Sequence, residues 1–306
     1  MEKTPDFNPI ASRAFLGLNL KITDVFIVSA LAFYSVLAIL FPSRLRGDWT
    51  GIVLANGLTF VLFLVANLIA RRTRSRPLRF ILRTLSVQLG LLYIYGMSLN
   101  HQLIFFPQWH DQVVIDLEAR LLGVAPTVWL QRFVRPWLTE WMMFCYVFYV
   151  PVYPLLSLLI DRRHGEEKNE NYLFHIAFVI ILCTVGFMLF PVAGPMRHIG
   201  DLHTVPLSGH FFTAVSELIR NRVHAPGGTI PSIHCAAATI MWWMAYRYAR
   251  PAFFILAPVI LSLYVSTVYG RFHYLFDVFV GIAAALLVMV LGRVLIKVWN
   301  RNTLRY

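Results

Sequence analysis

Two polar residues stand four positions apart at the start of the last apolar segment. They are His273 and Asp277, in the stretch HYLFD. At this spacing two side chains share one face of a helix, about one turn apart. The carboxylate can accept the proton of one imidazole nitrogen, which leaves the other nitrogen free to attack or to take a proton. The spacing indicates nucleophilic or acid–base chemistry, although a purely structural pair has the same pattern.

A second histidine lies at the predicted start of another helix. In TIPSIHCAAA, Pro231 suits the first turn of a helix, and Ser232 and His234 follow on that turn. The free N–H groups and the positive dipole of a helix start favour a bound anion such as phosphate. If both helices begin at the same membrane face, two imidazoles meet beside a phosphate site.

Two arginines accompany these histidines. Arg271 stands two residues before His273, and Arg197 lies in FPVAGPMRH, where another apolar segment ends. Planar guanidinium groups match the oxygens of a phosphate well. We therefore predict that Arg197, Arg271 and Ser232 contact a substrate phosphate; for each arginine alone, a lipid headgroup contact is the alternative.

The elements that position these residues are membrane helices. The chain is 58% hydrophobic and 14% charged, unlike an average soluble protein. A bilayer core about 30 Å thick requires about 20 mostly apolar residues per helix. The candidate segments are 23–41, 51–70, 82–99, 137–160, 172–191, 232–249, 252–269 and 273–298. We predict an all-α integral membrane protein with about eight transmembrane helices, of which the first is a retained helix and not a signal peptide, preceded by a loose or interfacial tail.

Basic residues are distributed unequally between the two sides of this topology. The side of both termini carries 18 Lys and Arg residues, and the opposite side carries 9. Because basic residues favour the cytoplasm, both termini are predicted to be cytoplasmic and the histidines extracytoplasmic or lumenal. The segment RRTRSRPLRFILR at 71–83 is interpreted as a topology anchor that touches anionic headgroups. The net charge of +12 is therefore assigned to the membrane and not to nucleic acid.

Other histidines and cysteines are weaker candidates. Outward-side histidines are usually only solvated, and these are His101, His110, His198, His203, His210 and His224. PLSGH at 206–210 nearly repeats PSIH, but Leu207 interrupts it and the following segment is too short and polar for a span. Three cysteines in apolar runs fit small buried side chains: Cys145, Cys183 and Cys235.

These residues resemble the motifs of the type-2 phosphatidic acid phosphatase superfamily of membrane phosphoesterases. PSIH at 231–234 matches its P-S-x-H motif, and HYLFD at 273–277 matches the histidine and aspartate of S-R-x5-H-x3-D. The Ser-Arg pair of that motif is replaced by Ser266 and Thr267. Arg271 instead gives the R-[YF]-H-Y-x-x-D form of the branch that contains the fungal-type inositol phosphorylceramide synthases. K-x6-R-P is absent, and FPVAGPMRH, similar to a motif of that branch, takes its place.

The resemblance covers roughly residues 100–298 and implies a domain organisation. Residues 82–299 are expected to form a six-helix catalytic core. Residues 1–81 add the N-terminal tail and two additional transmembrane helices, and residues 300–306 form a cytoplasmic tail.

The resemblance also implies a two-step phosphoryl transfer. His273, held by Asp277, attacks the phosphorus of a lipid phosphoester and forms a phosphohistidine. His234 protonates the departing oxygen and then serves as the base for the acceptor. Arg197, Arg271 and Ser232 hold the phosphoryl oxygens. Neither a metal nor another cofactor is implied, because protein cations neutralise the phosphate.

The identity of the acceptor stays open. A lipid or polyol hydroxyl makes the protein a phosphotransferase, which the synthase-like motifs favour, whereas water makes it a lipid phosphatase. A transporter is a less favoured alternative suggested by the lone acids Glu140 and Asp277, and a haem carrier is disfavoured because His175 lies far from His234 along the predicted spans. The sequence does not identify the donor lipid, the host membrane or the oligomeric state.

Overall fold

The structure is a computed structural model that describes residues 10, 13–15, 18–222 and 226–303. A short antiparallel pair of strands comes first, β1 (Arg13–Phe15) and β2 (Leu18–Leu20), with Arg13 opposite Leu20. The described α-helices are α1 (Ile22–Leu40), α2 (Trp49–Arg72), α3 (Arg76–Ser98), α4 (Asp111–Leu122), α5 (Pro126–Trp129), α6 (Pro136–His164), α7 (Glu166–Leu189), α8 (Pro195–His198), α9 (Phe211–Arg222), α10 (Ile233–Tyr248), α11 (Arg250–Tyr269) and α12 (Leu275–Thr303). The predicted all-α membrane class is confirmed.

Seven described helices have the length and apolar composition of a membrane crossing. They are α1, α2, α3, α6, α7, α11 and α12. Each overlaps a predicted segment, so the chain is a multi-pass integral membrane protein. The eighth predicted segment, 232–249, forms α10, which has 16 residues. At about 1.5 Å per residue α10 is only about 24 Å long, shorter than the apolar core. Length and composition therefore support seven of the eight predicted spans.

Helix α10 is a central helix of the bundle. It packs against α6, α7, α11 and α12, and its small residues Ala236, Ala237 and Ala238 are buried. Small side chains allow neighbouring helices to approach closely in a membrane bundle. Because α10 packs against four other helices, its first turn is held firmly among them.

Contacts along α7, α10 and α12 fix their relative directions. Gly186, near the end of α7, approaches Pro231, just before α10, so closely that an added side chain would collide with the proline ring. At the other end of α10, the Trp243 ring lies 5.3 Å from the ring of His175 and 5.4 Å from the Arg293 guanidinium. Helix α10 therefore runs antiparallel to α7 and parallel to α12, so α10 and α12 begin at the same end of the bundle.

A buried ion-pair network lies at the opposite end of the bundle. The Arg83 guanidinium contacts Asp24 at 2.5 Å, Glu170 at 2.6 Å and the amide oxygen of Asn67 at 2.6 Å. Lys21 also pairs with Glu170, at 3.2 Å. The network joins α1 and α2 to α3 and α7, so it fixes the first two helices on the rest of the bundle.

Other basic residues of segment 71–83 also contact carboxylates. These pairs are Arg71 with Asp24 (3.2 Å), Arg76 with Asp161 (3.4 Å) and Arg79 with Glu166 (2.5 Å). Four of these residues border a cavity of about 310 Å³: Arg71, Arg79, Asp161 and Glu166. The interpretation of this segment as a headgroup anchor alone is therefore incomplete, because four of its arginines hold other helices in place. The cytoplasmic location of this end stays a prediction.

Replacement of Arg83 by alanine is expected to destabilise the protein strongly. It leaves Asp24 and Glu170 buried without their main cation, and breaking a buried pair costs about 3–5 kcal/mol. Arg79→Ala is the matched control, because that pair is partly exposed and such pairs contribute about 1 kcal/mol or less. Unfolding of both variants in detergent micelles measures the difference. Equal losses for the two variants contradict the assignment.

Candidate functional site

Two imidazole rings meet where α10 and α12 begin. His234 is the second residue of α10, and His273 lies in the turn between α11 and α12. Nε2 of His273 lies 3.4 Å from Nδ1 of His234, and the ring centroids are 5.6 Å apart. The two predicted histidines therefore come together. One detail differs from the prediction: His273 precedes α12 and does not lie within it.

The orientation of His273 is set by a backbone carbonyl that the sequence did not reveal. Its Nδ1 lies 2.9 Å from the carbonyl oxygen of Thr229 and 3.4 Å from Oδ2 of Asp277. A carbonyl oxygen only accepts a hydrogen bond, so Nδ1 carries the proton and Nε2 presents its lone pair. The Thr229 carbonyl is therefore the nearer orienting group, and Asp277 is the second.

Asp277 also organises the backbone around both histidines. Its carboxylate accepts a hydrogen bond from the Tyr274 N–H at 3.0 Å, and its carbonyl accepts one from the Ser232 N–H at 3.0 Å. The Asp277 side chain is fully buried. One residue thus links the turn that carries His273 to the start of the helix that carries His234.

The charge state of His273 follows from its surroundings. Burial lowers the pKa of His273 to about 4, and the hydrogen bond to the Thr229 carbonyl partly opposes this shift. The ring is therefore neutral near pH 7, and its Nε2 is available as a nucleophile.

Aromatic side chains of α6 pack against the His234 ring. The ring of Tyr146 stacks on His234 with centroids 4.7 Å apart and on Phe272 with centroids 4.2 Å apart. Tyr149 lies 5.3 Å from His234 on the same helix. These rings fix the plane of the His234 imidazole and shield one face of the pair from solvent.

Arg271 lies in the turn between α11 and α12 with an unusual backbone. Its φ of 65° is in the left-handed region, which costs a residue with a Cβ about 1–2 kcal/mol. The side chain is 7% exposed and its guanidinium donates a hydrogen bond to the Val205 carbonyl. Its Nε has no hydrogen-bond partner among the residues that the structure describes. The turn between α11 and α12 therefore holds a buried Arg271 guanidinium whose Nε–H can still donate a hydrogen bond.

One further cation, Arg220, acts on Arg271, and the neutral His203 lies nearby. Burial lowers the pKa of Arg271, and the charge of Arg220 lowers it further. Burial likewise lowers the pKa of His203 to about 4, with an added contribution from the charge of Arg271. Arg271 therefore lies in a positive local field, which suits a bound anion.

The other two predicted phosphate contacts have different surroundings. The Ser232 hydroxyl is fully buried and accepts a hydrogen bond from the Cys235 N–H at 3.4 Å, so it caps α10. Arg197 is exposed on α8, and its charge adds to the effect of burial in lowering the pKa of Arg46. A phosphate contact of either residue stays a prediction.

The segment before α9 covers Arg271. Gln131 accepts a hydrogen bond from the Val205 N–H and donates one to the Leu202 carbonyl, both at 2.9 Å. Glu140, at the start of α6, accepts hydrogen bonds from the first N–H groups of α9, including that of Thr213 at 3.0 Å. This segment, 199–213, which includes the first turn of α9, is therefore tied to Gln131 and to α6, and it covers Arg271 through the Val205 carbonyl.

The other histidines and the cysteines have different surroundings. His210 is exposed, and its N–H donates to Glu140. His101 is buried between the carbonyls of Met97 and Tyr34, at 3.1 Å from each, which is a structural role. His224 lies outside the described residues. All three cysteines are free and buried, in agreement with their interpretation as small core side chains.

Sequence reasoning missed three contributors to the site: Thr229, Tyr146 and Asp111. Thr229 acts through its carbonyl, which no side-chain pattern reveals. Tyr146 and Tyr149 had a detectable signal, since they stand three apart on a predicted span. Asp111 lies outside the PSIH and HYLFD motifs, yet this buried residue accepts a hydrogen bond from the Tyr274 hydroxyl at 2.9 Å.

Comparison with known families agrees with this geometry. The model of the PAP2 superfamily matches residues 112–291, more than half of the chain. The chain belongs to the PAP2 superfamily. Members of this superfamily are generally phosphatases or phosphotransferases, so the match confirms the broader resemblance. No curated protein and no solved structure matches the chain.

The matched range of this PAP2 protein includes His234, Arg271, His273 and Asp277 and starts after α3. The proposed boundaries at residues 81 and 299 stay predictions. No group of three or more His, Cys, Asp or Glu side chains that could hold a metal ion occurs within the described ranges.

Proposed function

We propose that this PAP2 protein is a membrane phosphotransferase that moves a phosphoryl-containing group from a lipid phosphoester to a hydroxyl acceptor, as an inositol phosphorylceramide synthase does. The observation that carries the proposal is the histidine pair. The Nε2 lone pair of His273 lies 3.4 Å from a second imidazole nitrogen, and Nδ1 is held by a carbonyl. This arrangement supplies a nucleophile and a proton carrier at one point.

The reaction follows from these atoms in two displacements. Nε2 of His273 attacks the phosphorus and a P–N bond forms. The bond from phosphorus to the leaving oxygen breaks as the imidazolium form of His234 gives its proton to that oxygen. The acceptor hydroxyl then gives its proton to His234 and attacks the same phosphorus. The P–N bond breaks, and both histidines return to their starting protonation states.

The distance between the rings limits how the substrate approaches. At 3.4 Å no phosphorus atom fits between the two nitrogens. The phosphoester must therefore reach Nε2 from beside the pair, or the rings must separate as it binds. The Tyr146 stack restrains His234, and the Thr229 carbonyl restrains His273, so we expect approach from the side of the Arg271 turn.

The choice between a hydroxyl and water as acceptor depends on water exclusion. His273 is 3% exposed, and segment 199–213 covers the adjacent Arg271. A covered site restricts hydrolysis of a phosphohistidine and so favours transfer. A lipid phosphatase is the second candidate function.

Incubation of the purified protein with a lipid labelled in its phosphate headgroup separates these functions. Parallel samples contain no alcohol, a polyol, a diacylglycerol or a ceramide, and the products are separated by chromatography. Acceptor-dependent formation of a new labelled lipid supports transfer. Release of labelled phosphate in every sample supports the phosphatase. A protein inert in all samples overturns both and favours a transporter.

Arg271→Ala is expected to lower kcat/KM by about 10²–10³-fold, because a buried guanidinium that faces developing phosphoryl charge has effects of this size. Arg271→Lys keeps the positive charge but lacks the planar guanidinium that binds two phosphate oxygens at once, so it should recover only part of the loss. Arg132→Ala is the control, since that guanidinium stacks on Trp129 at 5.0 Å. Steady-state rates give the comparison, and an unchanged rate in Arg271→Ala argues against phosphate binding there.

A further inference from the structure

Helix α4 presents two buried carboxylates to the start of α12. Asp111 and Glu118 are seven residues apart, two helical turns, so they share one face. Asp111 is fully buried and Glu118 is 4% exposed. Val114 lies between them and packs in a buried cluster with Val192, Ile230 and Tyr274. The apolar contact holds α4 in place, and the carboxylates add specific hydrogen bonds.

Asp111 accepts three hydrogen bonds from two separate parts of the chain. The N–H groups of Ala193 and Gly194 donate to its two oxygens at 2.8 and 2.9 Å, and the Tyr274 hydroxyl donates at 2.9 Å. A buried carboxylate with three donors is strongly oriented, and charge-assisted hydrogen bonds are stronger than neutral ones. Asp111 therefore joins the 192–194 loop to the residue that follows His273.

The first connection to His273 passes through two loops. The Ala193 carbonyl accepts from the Gly227 N–H at 3.1 Å, and the Val192 carbonyl accepts from the Thr229 hydroxyl at 3.2 Å. Gly194 has a φ of 99°, and an added Cβ would lie 2.9 Å from the Thr229 methyl, so only glycine fits this approach. These contacts fix the position of the Thr229 carbonyl, which accepts the hydrogen bond from Nδ1 of His273.

The second connection is direct. The Tyr274 hydroxyl is held by Asp111, and the Tyr274 N–H is held by Asp277. Glu118 adds a third contact, since it accepts from the Phe276 N–H at 3.1 Å in the first turn of α12. Carboxylates at a helix start satisfy its free N–H groups and its positive dipole end. The residue after His273 is thus fixed from both sides.

We infer that Asp111 is a positioning residue for the proposed nucleophile: it fixes, from outside the spans, both the carbonyl that orients Nδ1 of His273 and the adjacent Tyr274. This inference rests on the proposed function. Asp111 does not touch the reacting atoms, and its effect passes through the 192–194 loop, the Thr229 carbonyl and Tyr274. Helix α4 therefore belongs to the arrangement that positions the proposed nucleophile.

The test compares Asp111→Asn with Asp116→Asn. An amide at 111 keeps the size of the side chain but turns a donor group towards at least one of its three donors. Asp116 is on the same helix, and its carboxylate accepts from Gln112 at 2.8 Å on the exposed side. Tyr274→Phe removes only the direct connection and serves as an intermediate variant.

Two measurements distinguish a positioning role of Asp111 from a loss of folded protein and from a general loss of activity. We expect Asp111→Asn to lower the single-turnover rate of phosphoenzyme formation by about 10²-fold with KM nearly unchanged, because small displacements of a nucleophile have effects of this size. We also expect nitrogen NMR of labelled histidine to show a loss of the pure Nδ1-protonated form of His273. Tyr274→Phe should show a smaller change in both, and Asp116→Asn none.

The outcomes are distinguishable. If the wild-type protein transfers phosphate and Asp111→Asn keeps both the rate and the His273 tautomer, the positioning role is wrong and the proposed function stands. If the wild-type protein is inactive but Asp111→Asn still alters the tautomer, the proposed function is wrong and the orienting connection stands. A rate loss that only follows a loss of folded protein also rejects the positioning role.

Discussion

Alanine in place of His273 is expected to abolish turnover, with a loss of at least about 10⁴-fold, because the variant lacks the proposed nucleophile. The labelled phosphoenzyme should disappear with it. A phosphohistidine is labile in acid and stable in base, so its chemical stability identifies the bond. The rate and the trapped label are measured on the same preparation of this PAP2 protein.

His210→Ala is the matched control for this experiment. His210 stands in PLSGH, the near-copy of the PSIH motif, and it is exposed. The control should keep its rate and its label within about twofold, as surface substitutions have small effects. Normal labelling in the His273 variant, or its loss in the His210 variant, contradicts the nucleophile assignment.

The second large effect is expected for His234→Ala, and it depends on the leaving group. General acid catalysis contributes about 10²–10⁴-fold, so cleavage of an alkyl phosphoester should slow by that factor. A p-nitrophenyl ester has a leaving group that departs without a proton. Phosphoenzyme formation from this ester should therefore fall by less than about tenfold.

The ratio of the two losses is the informative measurement. Removal of the ring also removes its stack on Tyr146, so part of any loss reflects packing, which affects both esters equally. Tyr146→Leu removes the stack but keeps the His234 imidazole, so it provides the packing control. Equal losses on both esters in His234→Ala mean that His234 is not the acid.

The sequence predicted much of the site because its main residues carry their own local signals. PSIH places His234 on the first turn of a helix, and Pro231 and Ser232 mark that turn through their start and cap preferences. HYLFD places Asp277 four residues after His273. Residues within one or two helical turns of each other stay close when the chain folds. His273 and Asp277 could therefore be paired from their positions in the chain alone.

The sequence predicted less about the basic residues, because a run of arginines does not identify the groups that the arginines contact. The basic residues of segment 71–83 predicted a membrane side, but not that Arg83 is buried against Asp24 and Glu170. Those partners stand 59 and 87 residues away along the chain. Nothing in the local sequence distinguishes a headgroup contact from an ion pair at such a separation.

By itself the sequence determined the all-α membrane class, five of the seven crossings to within about five residues at each end, and the identity of the histidine pair. These features depend on composition and on contacts within one or two helical turns. Only the tertiary structure decided that Thr229 orients His273, that Tyr146 stacks on His234, and that Asp111 reaches Tyr274 from a helix outside the spans. Each of these contacts joins segments that are distant along the chain, and the first uses a backbone atom that every residue possesses.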